Sequence, residues 1–181
     1  MGNLSASPSC VDVAPARRPS HPGPELASWP LHAALPLGAL PTAPGCGRAW
    51  TRQILREWGV DRLADETELL VSELTTNALQ ASAPVADAAI GLWLASDCEL
   101  VVILVWDPSS QPPAPENPGQ DAEDGRGLVL VQALSLQWGW YFPASTSPGS
   151  HAGKVVWAIV GLKRPRANQA SRPGLQLPGH E

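Results

Sequence analysis

Between residues 44 and 58 the apolar side chains Ala49, Trp50, Ile54, Leu55 and Trp58 return at helical spacing, and Gly59 follows as a stop. That period predicts an amphipathic helix. A second helix is predicted from about Asp65, where Leu69, Leu70, Leu74, Ala78 and Leu79 keep the period until Pro84 breaks it. Asp65 with Glu68 three residues on has the form of a capping pair. The pattern then changes. Residues 86–95 and 100–106 are apolar, partly β-branched runs, and Ser96-Asp97-Cys98-Glu99 between them predicts a β-hairpin whose turn lacks glycine.

Residues 108–124 hold five prolines and no period, which predicts a loop of 17 residues. Loops of that length in compact domains usually have a use, so this one is a candidate lid. Gly125-Arg126-Gly127 then opens a third helix to about Leu136, and 137–142 and 154–162 read as closing strands. Upstream, 29–40 is apolar but interrupted by Pro30 and Pro36, which suits an edge strand or an extended lead-in. The order is strand, helix, helix, strand, strand, loop, helix, strand, strand. It predicts an α+β fold: a two-layer α/β sandwich with helices on one face of a mainly antiparallel mixed sheet.

Composition sets the boundaries of that domain. Residues 1–28 carry Pro8, Pro15, Pro19, Pro22 and Pro24 among Ser, Ala and Gly, and read as a disordered arm. The segment 164–181 reads as a disordered tail, leaving 29–163 as the folded part. With 12 Lys and Arg and a net charge of -5, the chain has no basic stripe for a nucleic-acid backbone. No run of about 20 apolar residues is present to cross a bilayer. Cys10, Cys46 and Cys98 lie far apart and are odd in number, which fits neither a disulfide framework nor a zinc site and points to reduced thiols in a cytoplasmic protein. The four histidines His21, His32, His151 and His180 lack ligand spacing. The eight tryptophans fall mostly on predicted helix or strand and read as core, with Trp138 and Trp140 sharing one face of a strand.

Three features could carry chemistry. Glu73 and Asn77 are four residues apart on the second helix and so share a face about one turn apart. Such a pair suits a solvated polar stripe, but a proton-accepting carboxylate beside an amide oxygen that can bind a hard cation also suits Mg-dependent phosphoryl transfer. Gly125-x-Gly127-Leu128 precedes a helix, where bare backbone amides can face an anion; the glycines could equally end the loop and allow close packing. Asp107, at a strand end before Pro108, is either a turn residue or an acceptor for a purine amine. Lys154, one of only two lysines, could reach a phosphate, but a solvated residue at a strand end is the commoner case and is the reading taken.

The order of these features carries a resemblance. Glu73-Leu74-Thr75-Thr76-Asn77-Ala78 resembles the N box of the GHKL (Bergerat-fold) ATPase and kinase superfamily, Asp107 occupies the place of its G1 box, and Asp124-Gly125-Arg126-Gly127-Leu128 is similar to its G2 box. Within it, the short domain from Ala49-Trp50 to Gly153-Lys154-Val155-Val156-Trp157-Ala158 is similar to bacterial anti-sigma-factor serine/threonine kinases over about residues 31–162. The resemblance implies ATP and Mg2+ as cofactors, with Asn77 as the Mg2+ ligand, Glu73 as general base, Asp107 on adenine, and Gly125, Gly127 and Leu128 on the phosphates. It implies an anti-anti-sigma-like protein as phosphoacceptor and a sigma factor as a further partner, and it leaves room for a homodimer. The alternative is a partner-switching module that binds nucleotide weakly and transfers nothing. The G1 segment departs from the family's Asp-x-Gly-x-Gly: here it is Asp107-Pro108-Ser109-Ser110-Gln111. A histidine kinase would require a phosphoacceptor histidine on a helical hairpin, and neither His21 nor His32 lies in a helix-forming stretch.

Overall fold

The computed structural model describes Pro24, Leu26 and residues 29–113, 127–144 and 153–162. In chain order the elements are β1 (Leu31–Gly38), α1 (Ala43–Glu57), α2 (Ala64–Ser82), β2 (Ala89–Ser96), β3 (Leu100–Asp107), α3 (Gly127–Leu134), β4 (Gln137–Tyr141) and β5 (Lys154–Gly161). The strands form one sheet in the order β1-β2-β3-β5-β4, and each of its four neighbouring pairs is antiparallel. This is the expected α+β arrangement. Apart from Pro24 and Leu26, the arm, the tail, Gly125 and the 114–124 part of the lid candidate lie outside the described residues.

β1 is an edge strand, which is where Pro36 can be tolerated, since the ladder hydrogen bond it cannot donate has no partner on the open side. α1 ends at Glu57, and Gly59 takes a positive φ of 69° to turn the chain out of the helix. The capping pair is a correction. α2 starts at Ala64, its N-cap is Leu63 and no side chain caps it. A 3-10 turn at Asp61–Leu63 leads directly into the helix and places Asp65 inside its first turn. Glu68 is drawn away by Arg52 of α1, whose guanidinium donates to both carboxylate oxygens at 2.7 and 2.8 Å.

The glycine-free hairpin between β2 and β3 turns by side-chain chemistry. Asp97 Oδ1 accepts from the amides of Glu99 and Leu100, Ser96 Oγ accepts from the Cys98 amide, and Cys98 takes the left-handed φ of 72°. The sheet is apolar on both faces. Leu92, Ile103, Val105, Val156 and Ala158 face the helices and pack with Leu55, Leu70 and Leu74, while Ala95, Val102, Leu104, Val155 and Trp157 form a second cluster on the other side. Trp138 and Trp140 do share the helix-side face, but Trp93, Trp106 and Trp157 belong to the second cluster, so the tryptophans divide between two layers of packing.

Candidate functional site

α2 crosses the helix-facing side of the sheet, burying Leu70, Val71, Leu74 and Ala78. Glu73 and Asn77 are half-buried on the flank of that stripe. α3 begins beside them. A Cβ placed on Gly127, the first residue of α3, would stand 3.0 Å from Glu73 Oε2 and 3.3 Å from Asn77 Oδ1. The absence of a side chain at Gly127 therefore lets the start of α3 approach both polar groups. Three residues that the sequence pattern selects from two segments are thus brought together in space. Leu128 follows on α3 and is buried.

Between α2, α3 and the sheet lies a cavity of about 380 Å³. Its walls are apolar, with Leu74 and Ala78 on α2 and Val105 and Val156 on the central strands. Asn77, Gly127 and Leu128 line it on one side, and Asp107 and Lys154 line it at the strand ends.

Asp107 is the last residue of β3 and pairs in register with Lys154, the first of β5. Alternation puts Asp107 on the same face as Val105 and Ile103, and Lys154 on the same face as Val156 and Ala158, which is the helix side. Lys154 is a second correction: it is 4% exposed and donates through Nζ to Asp107 Oδ1 at 2.8 Å. The same oxygen accepts the Ser109 amide at 2.9 Å, and Ser109 Oγ in turn accepts the Gln111 amide. These two side-chain turns carry the chain away from β3 where the family pattern would use glycines. Burial pushes the Asp107 carboxyl above its ordinary range, and the hydrogen bond and charge of Lys154 together with the Ser109 amide draw it part of the way back.

Gly153 allows this arrangement. Its φ is 75°, and a Cβ there would run into the Asp107 carbonyl oxygen and the Trp106 indole. Only a residue without a side chain can bring Lys154 into register at this point. Sequence reasoning gave Gly153 no role and read Lys154 as solvated. The signal available was the alternation Lys154, Val156, Ala158, Val160, which gives a lysine the same face as a buried stripe.

A model of the histidine kinase-like ATPase domain family matches residues 39–156. The chain belongs to this family. The match runs from the residue after β1 to the third residue of β5 and so takes in α2, Asp107, Gly127 and Lys154. Membership brings an ATP-binding function and agrees with the GHKL-type fold seen here. Comparison with curated proteins gave no match. Among the described residues no helix is long and apolar enough to cross a membrane, and no cluster of His, Cys, Asp and Glu is arranged to hold a metal ion by itself. The residues present do fit a nucleotide: the cavity lies in the range of small-ligand sites, and the gap at Gly127 is one a Cβ would fill.

Proposed function

We propose that the chain is a serine/threonine kinase of the anti-sigma-factor type, which phosphorylates an anti-anti-sigma-like protein and also engages a sigma factor. The observation that carries the reading is the meeting of Glu73 and Asn77 with Gly127 at the side of the cavity. In this reading Asn77 supplies an amide oxygen to Mg2+, Gly127 and Leu128 offer backbone to the phosphates, with Gly125 in the preceding segment, and Asp107 meets the base. ATP, when bound, supplies the phosphoryl group. Glu73 holds a carboxylate where it can accept the proton of an incoming serine or threonine hydroxyl. Asn77 lies one helical turn away and fixes the cation side of the same site.

Glu73→Gln separates binding from chemistry. The variant should bind ATP within about threefold of the parent chain while phosphotransfer to the acceptor protein falls by about 100-fold or more, the usual scale for loss of a general base. Normal transfer by Glu73→Gln, followed with labelled ATP and candidate acceptors encoded nearby, would make Glu73 a structural residue. The second reading, a partner-switching module without transfer, is favoured by the glycine-poor segment Asp107-Pro108-Ser109-Ser110-Gln111. It is distinguished by the parent chain itself: partner binding with no labelled product in the presence of Mg2+ and ATP.

A further inference from the structure

We propose that Leu26 and Trp29 are a built-in cover for the outer face of the sheet, and that without them this face pairs with the same face of a second copy of the chain. All three helices pack on the other side, and an antiparallel sheet so covered commonly turns a wetted, polar face outward. This one does not. Strand alternation gives the outer face no Asp, Glu, Lys or Arg, and His32 and Gln137 stand on it only at the two edge strands. At its centre Ala95, Val102, Leu104, Val155 and Trp157 are between 0 and 8% exposed, far drier than an open face.

The hydrophobic residues from outside the sheet that pack on this cluster, among those described, are Leu26 and Trp29. The Trp29 amide donates to the Leu26 carbonyl at 3.0 Å, which ties the two into one turn ahead of β1. Each is only partly buried, so the cover is held by two side chains and a turn rather than by a core of its own. Both residues precede the segment that matches the ATPase family, which begins at residue 39. The cover is therefore an addition to the domain, on the side of the sheet away from the cavity.

What lies beneath it suits a second sheet. Tryptophans lying over glycines smooth the face: a Cβ on Gly91 would run into the Trp93 ring, and one on Gly139 into the Trp157 ring. Sheets pack face to face about 10 Å apart through apolar side chains of this kind. A face without charge is also complementary to itself, since a two-fold pairing sets the same patch against its own copy and meets no like-charge repulsion here. Five strands about 4.8 Å apart and five to eight residues long span roughly 500 Å², so two faces together reach the ~1,000 Å² at which specific interfaces begin.

The test is sedimentation velocity of the full chain over a range of concentrations. The parent chain should be monomeric throughout. The double variant Leu26→Ser/Trp29→Ser should shift to a reversible dimer, with about half of it or more paired at about 100 µM, the scale of an interface at the lower limit of size. Adding Ile159→Lys, at a partly buried outward position of β5, should return the double variant to monomer, because the two-fold pairing would then bring like charges together. That reversal separates pairing through the face from aggregation of a loosened chain. Circular dichroism establishes that the variants fold; where the double variant does not, Trp29→Ser alone takes its place. A dimeric parent chain, a folded cover variant that stays monomeric, or association that Ile159→Lys leaves unchanged would each overturn the proposal. Failure of both cover variants to fold would overturn it as well, by making Leu26 and Trp29 part of the core.

Discussion

A carboxylate and an ammonium buried together at the end of a slot are there at some cost, because each must give up its water. Asp107 shows that cost directly: burial raises its pKa, and Lys154 and the Ser109 amide offset only part of the rise. The sign for stability follows. A native pKa above the unfolded value means that the folded chain binds the proton more tightly, so stability from this group is fully present below about pH 3.9, the ordinary value of an unfolded aspartate, and is lost as pH rises through the native midpoint. The carboxyl carbon of Asp107, followed by NMR, should titrate above the ordinary range of an aspartate. A midpoint at or below that range would mean that Lys154 dominates and that ionisation of Asp107 stabilises the fold. Truncating one partner alone is the more damaging change, since it leaves the other buried and uncompensated.

At the scale of elements, the site depends on how closely β3 and β5 meet at the level of Asp107 and Lys154. Gly153 is the residue that permits it, so Gly153→Ala should lower stability by at least about 2 kcal/mol, combining a left-handed backbone with a clash against the Asp107 carbonyl. Urea unfolding measures the loss; a change within about 0.5 kcal/mol, as for an ordinary surface position, would show that the β3–β5 end tolerates displacement. The helices and strands themselves were legible in the sequence, because their periods come from burial of one face and the period survives without knowing the partner. Gly59, Pro84 and Pro36 marked ends and an edge for the same local reasons. The start of α2 was not legible, since whether Glu68 caps its own helix or bonds Arg52 depends on where α1 lies. Lys154 was missed for a related reason: its burial comes from pairing with a residue 47 positions away, and strand register is a tertiary fact.

At the scale of the whole molecule, the two-layer fold leaves one cavity wall to α2, one to the sheet and one end to α3, so a ligand that fills it would touch every layer of the domain. The meeting of Glu73, Asn77 and Gly127 was implied by the resemblance of their segments to the N and G2 boxes, whereas the depth of the slot and its charged end come from packing. A ligand bound only by the folded state stabilises it, by about 2.7 kcal/mol at 100 times its Kd, so thermal unfolding should report occupancy of the cavity as well as calorimetry does. The most direct test of the nucleotide site is a calorimetric titration of the chain with ATP, with and without Mg2+, repeated on Asn77→Ala. The expected result is saturable binding at a single site that Mg2+ strengthens at least about tenfold, with that strengthening lost in Asn77→Ala because the cation's amide ligand is gone. Binding that is indifferent to both Mg2+ and Asn77, or no binding at all, would contradict it.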